Sequence, residues 1–178
     1  DMGKSSESQS TPTSLRFGIT TLPNKPVNYT WTASGGSSGS GTFVTNSSAE
    51  ITGLPAGEII TLSIASEIKA INIAANSGND KRRLVNVAQW GDAVWSTMEN
   101  AFSDCVNLNV TATDIPNLSA VRSMRKMFNN CQSMTGPANI GSWNTTTVNN
   151  MDSLFTAALV FDQDISSWNT GNVTNMAY

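Results

Sequence analysis

Carboxylates are the side chains best suited to chemistry in this sequence, because the chain has no histidine and only two cysteines. Asp152, Asp162 and Asp164 suggest a calcium site, since hard cations bind clustered carboxylate oxygens. Glu99 with Asp104, or Asp162 with Asp164, could be the acid pair of a glycosidase, which needs carboxylates across a cleft. The aspartate spacing matches no calcium loop, and no pattern predicts a cleft. We therefore expect neither an enzyme nor a metal site.

Sulfur and aromatic side chains recur at a regular interval, which favours packing over chemistry. Cys105 and Cys131 share one position of a repeat, so a disulfide is geometrically possible, but two buried thiols are favoured. Trp90, Trp143 and Trp168 share another position, where a buried ladder is favoured over a sugar-stacking platform. Without histidine or clustered thiolates, zinc and copper sites and most catalytic triads are excluded. We expect no cofactor.

The composition argues against nucleic acid and bilayers as partners. Charged residues make up 13% of the chain and the net charge is −3, so no basic field is available to hold phosphates. No apolar run approaches the ~20 residues that span a bilayer. We therefore expect no nucleic-acid binding and no membrane insertion.

The first half of the chain has strand periodicity after a polar leader. Residues 1–14 are polar and patternless, which predicts a disordered leader or linker. Residues 15–80 have apolar side chains at every second position, as at Val27 and Tyr29, which predicts a small antiparallel β domain. The Gly/Ser run at 35–41 predicts a flexible hairpin loop, because the Lys-Ser/Thr of a phosphate cradle is missing.

Residues 81–178 contain an internal repeat of 25 to 27 residues, which predicts about 3.5 coils. Within one unit, Val148, Met151 and Leu154 follow helical spacing, and Ser119 and Thr146 are candidate N-caps of such helices. The fold class predicted is α/β: a short leucine-rich-repeat-type β-α solenoid preceded by a small all-β domain. The aligned methionines are Met98, Met124, Met151 and Met176.

The repeat also predicts which residues are buried and which end of the stack is open. The chain stops at Met176-Ala177-Tyr178, inside a repeat, so the last coil is expected to be unfinished. An uncovered coil exposes apolar side chains and an unpaired strand edge, which predicts self-association through that end. The side chains expected in the core are Val87, Phe102, Phe128, Ile140, Phe155 and Ile165.

The stretch Phe161-Asp-Gln-Asp-Ile-Ser-Ser-Trp-Asn-Thr-Gly-Asn-Val-Thr-Asn-Met176 resembles the repeat of BspA-like leucine-rich-repeat surface proteins of the Bacteroidetes type. The likeness covers about residues 84–178. In that family a β domain resembling polycystic-kidney-disease repeats often precedes the coils, which implies a PKD/Ig-like domain over 15–80. The resemblance also implies an exported bacterial protein at the cell surface or outside the cell.

The leading functional hypothesis is a non-catalytic binding module of a bacterial surface adhesin that recognises an extracellular protein or glycan. A structural spacer or stalk segment is the alternative, and an accessory domain of a hydrolase is a third possibility. Polar residues beside the predicted strands form the candidate interaction face. These residues are Asn86, Asp114, Asn139, Asp164 and Ser166.

Overall fold

A computed structural model describes residues 11–23, 25–44, 48–75 and 80–177 of the chain. Residues 1–10 of the predicted leader lie outside this range. Ser14, its last residue, is already in the first strand.

Six antiparallel strands form two three-stranded sheets in the first part of the chain. Their orders are β4-β1-β6 and β3-β2-β5. The first half of β1 pairs with β4 and its second half with β6. Alternate apolar side chains such as Phe17, Val27 and Ile51 meet between the sheets, where they are buried. The strands are β1 (Ser14–Thr21), β2 (Val27–Ala33), β3 (Ser38–Phe43), β4 (Ala49–Thr52), β5 (Ile60–Ile64) and β6 (Ile68–Asn72).

The Gly/Ser run is a strand rather than a flexible loop over most of its length. Gly39 lies opposite Trp31, and Gly41 lies opposite Tyr29. A Cβ atom at Gly39 would be 2.8 Å from the Trp31 ring, so the ring lies flat on a strand that needs glycine there. The prediction of a loop over 38–41 is wrong, because glycine at these positions makes room for the aromatic rings of the neighbouring strand.

The segments predicted to be helices are successive tight turns. Met127 N–H donates to the Met124 carbonyl and Cys131 N–H to the Phe128 carbonyl, each three residues back. Lys126 and Asn130 have φ values of 54° and 58°, in the left-handed region. Such residues interrupt an α-helix. The apolar side chains that matched helical spacing occupy the corners of these turns.

Successive repeats stack through backbone hydrogen bonds in parallel register. Met98 N–H donates to Ser123 O and Phe102 N–H to Met127 O, each over 3.0 Å. At another side of each layer, β7 (Asn86–Val87) pairs in parallel with β8 (Asn109–Val110). We refer to this arrangement, residues 81–177, as the repeat stack.

The predicted fold class is wrong. Across the described ranges the structure contains three small sheets and two 3-10 helices, Asp80–Arg82 and Ile140–Ser142, and it contains no α-helix. It is an all-β structure rather than an α/β leucine-rich-repeat-type β-α solenoid. Ser119 and Thr146 are likewise not helix caps. Their hydroxyls bond to the Asn117 and Asn144 side chains, which close Asx turns.

The core predicted from the repeat is buried in its inner layers and partly exposed in its outer ones. Phe102, Phe128 and Ile140 are buried. Val87 and Ile165 pack against the core but are only partly buried, as is Phe155. The rings of Phe102, Phe128 and Phe155 stack with centroids 5.7 and 5.9 Å apart.

The β strands and the repeat stack are joined by backbone and side-chain hydrogen bonds. Ser96 N–H donates to the carbonyl of Lys69 in β6 over 2.8 Å, so β6 covers the first layer of the stack. The buried Asp80 carboxylate accepts hydrogen bonds from Arg16 N–H at 2.7 Å and from Arg83 Nη1 at 2.8 Å. This carboxylate holds the junction to β1.

Candidate functional site

Three residues of the predicted interaction face form hydrogen bonds between layers. The Asn86 amide contacts the Thr111 hydroxyl at 2.8 Å. The Asp114 carboxylate accepts the N–H groups of Trp90 and Gly91 at 3.0 and 2.7 Å. Asn139 Nδ2 donates to the Thr113 and Asp114 carbonyls of the preceding layer. These side chains therefore hold the stack together.

Asp164 and Ser166 remain available on the surface of the last layer. The Asp164 carboxylate accepts Ser166 N–H at 2.8 Å, and this hydrogen bond lowers the pKa of Asp164. Both residues are exposed. Asp114 and Asn139 contact each other between adjacent layers, and the Asp164 carbonyl lies beside Gly141 of the layer before it.

Three of the five carboxylates considered for catalysis or calcium, Glu99, Asp104 and Asp152, are paired with cations. Arg125 of the second layer bridges Glu99 at 3.2 Å and Asp152 at 3.1 Å, one in each neighbouring layer. Asp104 accepts a hydrogen bond from Asn130 and pairs with Lys81, and both interactions lower the pKa of Asp104. Within the described ranges, no group of three or more acidic, cysteine or histidine side chains is placed to hold a metal ion.

The tryptophans of the repeat are not available as a sugar platform. Trp90, Trp143 and Trp168 are 6%, 3% and 8% exposed. Trp90 and Trp143 lie two layers apart, yet their ring centroids are 5.3 Å from each other, because the intervening layer has Pro116 at that position. They are core side chains.

A shallow polar groove of about 440 Å³ lies on another side of the stack. It extends from the second layer of the stack to the last one. Its residues come two to five positions before the aligned methionine of each repeat. Residues at equivalent positions stand one layer apart, about 4.8 Å at the usual strand spacing. The groove is lined by Arg122, Thr146, Thr147, Asn149, Asn172 and Thr174.

The backbone hydrogen bonds of the layers position the groove side chains. Asn149 N–H donates to Arg122 O, and Thr174 N–H donates to Asn149 O, each over 2.9 Å. Asn172 Nδ2 donates to Thr146 O at 2.7 Å, which leaves its Oδ1 free to accept. These bonds fix the floor of the groove, and the hydroxyls of Thr147 and Thr174 donate into it, to the carbonyls of Val121 and Asn149. The groups left for a ligand are therefore mainly the Asn149 and Asn172 amides and the Arg122 guanidinium.

Two cations lie along this side of the stack. Arg122 is exposed and donates one hydrogen bond, from Nη1 to Thr147 O at 3.3 Å, so most of its five N–H donors remain free. Lys69 in β6 lies two layers before Arg122, and its Nζ contacts the carbonyl of Val94, in the layer between them, at 3.4 Å. In the part of the chain that the structure describes, neither side chain has an ion-pair partner. By contrast, Arg16, Lys81, Arg83 and Arg125 are all paired with carboxylates.

The groove was not predicted from the sequence, although the repeat contains a signal for it. The position two residues before each aligned methionine holds Ser96, Arg122, Asn149 and Thr174, all polar, beside an apolar position that is buried in the first three repeats and partly buried in the last. Reading outward-facing positions of the repeat as columns would have found it.

Residues 96–178 match a family model described as a Mycoplasma protein of unknown function, DUF285. The match covers less than half of the chain. No curated protein and no solved structure gives a significant match.

The predicted membership of the BspA-like leucine-rich-repeat surface proteins is wrong. The family model that matches is a different one. The tight turns of the repeat also replace the helices that a leucine-rich-repeat solenoid requires. Among the residues that the structure describes, no helix has the length and apolar character needed to cross a bilayer.

Proposed function

We propose that this chain is a non-catalytic binding module of a surface adhesin, which recognises an extracellular protein or glycan through the polar groove. The observation that carries the proposal is the set of free hydrogen-bonding groups on Arg122, Asn149 and Asn172, which a rigid backbone ladder holds in place. The proposal places the module outside the cell, where both classes of ligand occur.

A structural spacer is the second candidate function. It is supported by Asn86, Asp114 and Asn139, whose polar groups bond from layer to layer instead of facing a partner. A spacer needs regular stacking and no ligand. The two functions therefore differ in whether any ligand depends on the groove.

The test is to measure binding of the purified chain to a panel of defined glycans and purified extracellular proteins. Asn149→Tyr fills the groove with a ring, and Gln132→Tyr also replaces an amide side chain by the same ring, at an exposed residue outside the groove. We expect a panel member that binds the wild type and the Gln132 variant equally, and the Asn149 variant at least tenfold more weakly. Circular dichroism melts establish that both variants are folded. A panel with no binder, or equal binding by all three chains, would favour the spacer.

A further inference from the structure

We propose that the groove binds a linear polysaccharide that carries carboxylates, with the sugar chain running along the stacking direction. This inference rests on the proposed function and assigns its ligand class. The ligand lies across the layers, and its carboxylates contact Arg122 and Lys69.

The two cations supply the charge recognition. β6 covers the first layer, so Lys69 precedes Arg122 by two layers, about 10 Å at the usual strand spacing. The chain as a whole is acidic, with a net charge of −3, and Arg16, Lys81, Arg83 and Arg125 are paired with carboxylates. Lys25, Arg82 and Lys126 have no ion-pair partner in the described ranges either, so what distinguishes Lys69 and Arg122 is that both lie along the same side of the stack. Two cations without ion-pair partners on one side of an acidic protein favour an anionic ligand. A guanidinium group is also suited to bidentate contact with a carboxylate.

The rest of the groove fits a sugar chain better than an acidic peptide. Its groups are the Asn149 and Asn172 amides, which can donate to and accept from sugar hydroxyls, and the Thr174 hydroxyl, which donates to Asn149 O and can accept. They repeat from layer to layer, so a polymer of repeating units meets equivalent groups along its length. No apolar side chain lines the groove, so a peptide would find no pocket for its own side chains.

The experiment uses the full chain and a hyaluronan decasaccharide, in which glucuronate alternates with N-acetylglucosamine. Three further arms are carboxyl-reduced hyaluronan, a neutral dextran and a poly-glutamate peptide. Binding is measured by calorimetry at low and high salt. The variants are Lys69→Gln and Arg122→Gln, and the matched control is Arg82→Gln, which removes the same charge at an exposed residue on another side of the stack.

We expect hyaluronan to bind, high salt to weaken it, and carboxyl-reduced hyaluronan and dextran not to bind. Lys69→Gln and Arg122→Gln should each weaken binding about fivefold, as expected for an exposed charge pair, and Arg82→Gln should leave it unchanged.

Three results would overturn the inference. If Arg82→Gln weakened hyaluronan binding as much as Lys69→Gln and Arg122→Gln do, the attraction would come from net charge alone. Equal or tighter binding of poly-glutamate would assign the groove to acidic peptides. Dextran or carboxyl-reduced hyaluronan could instead bind, with the binding abolished by Asn149→Tyr but not by Arg122→Gln. That result would leave the proposed function intact and exclude carboxylate recognition. If no arm binds and the wider panel also yields nothing, both proposals fail.

Discussion

Burial raises the pKa of both cysteine thiols, and this has a consequence for their reactivity. Loss of solvation raises the pKa of Cys131 from its ordinary value of 9.0 to about 12, and it raises the pKa of Cys105 as well, with a smaller contribution from the neighbouring Cys131. Both residues are free thiols in the core. Because the thiolate is the nucleophile, neither should react with Ellman's reagent at pH 8 until the chain is unfolded, when both should react. Reaction of one equivalent in the folded protein would contradict the burial.

The same shifts predict how stability depends on alkaline pH. A folded-state pKa above the unfolded value means that the folded chain keeps a proton which the unfolded chain has released. The contribution is therefore fully present below pH 9 and is lost as pH rises toward 12. Each thiol should lower the free energy of unfolding by about 1.4 kcal/mol per pH unit in this window. Urea unfolding at several pH values should show this slope in the wild type, and a smaller one in the Cys105→Ala/Cys131→Ala variant.

At the scale of the element, the left-handed turn residues are a source of strain that substitution can relieve. Ala157 has φ of 56° and is exposed. Glycine adopts this conformation without the cost that a Cβ brings, so Ala157→Gly should raise the free energy of unfolding by about 1 kcal/mol. Ala158→Gly is the matched control, because Ala158 does not have positive φ and glycine there should lower stability by about 0.5 to 1 kcal/mol. Equal effects of the two substitutions in urea unfolding would show that the turn geometry is wrong.

The turns also show which parts of the element structure were readable from the sequence. The methionine register was readable, and parallel bridges such as Ser123 to Asn150 and Asn150 to Asn175 pair equivalent residues. The absence of helices could not be predicted, because a chain of three-residue turns places its apolar corners at nearly the same spacing as a helix face. Asn117 and Asn144 were the discriminating signal, since an Asn two residues before Ser or Thr favours an Asx turn.

For the candidate site, the sequence indicated polar residues beside the strands but not what they contact. Asp114 has no neighbour in sequence that reveals its hydrogen bonds to Trp90 and Gly91, because those bonds connect residues more than 20 positions apart. Arg122 was also not predicted, because its role depends on a missing partner rather than on a bonded one. Its importance comes from having no carboxylate opposite it, which only the packing of layers shows.

At the scale of the whole molecule, β6 connects the β strands to the repeat stack, which predicts a single unfolding transition. Ser96 N–H bonds to Lys69 O, and Ile73 N–H bonds to Ala101 O over 2.9 Å. Trp31 lies in β2, whereas the other four tryptophans lie in the repeat stack. In a Trp31→Phe variant, fluorescence reports on the stack alone and far-ultraviolet circular dichroism on both parts. We expect coincident urea transitions, and two separate midpoints would mean independent domains.

Exposed apolar side chains near the last described layer predict self-association of this polypeptide. Met176 is 56% exposed and Leu159 is 71% exposed, whereas Met98 and Met124 of inner layers are fully buried. Apolar side chains on an unpaired edge favour pairing with another chain. Light scattering should show a concentration-dependent increase in mass that Met176→Lys reduces. The control Ile59→Lys changes a residue of 70% exposure outside the stack, and an equal effect there would indicate non-specific association.

The direction of the hydrogen bonds in the turn ladder gives that side of the repeat stack an electrical polarity, opposite to that of the groove ladder, where Asn149 and Thr174 N–H donate to the preceding layer. The N–H groups of Met98, Asn100, Phe102 and Asp104 all point to the following layer, and the same alternate positions of that layer donate onward. Peptide groups aligned in this way add their dipoles, as they do in an α-helix, with the positive end where the N–H groups point. This turn ladder therefore carries a positive end toward residues 173–177 and a negative end toward β6. The backbone itself would stabilise an anion near residues 173–177 and a cation near β6.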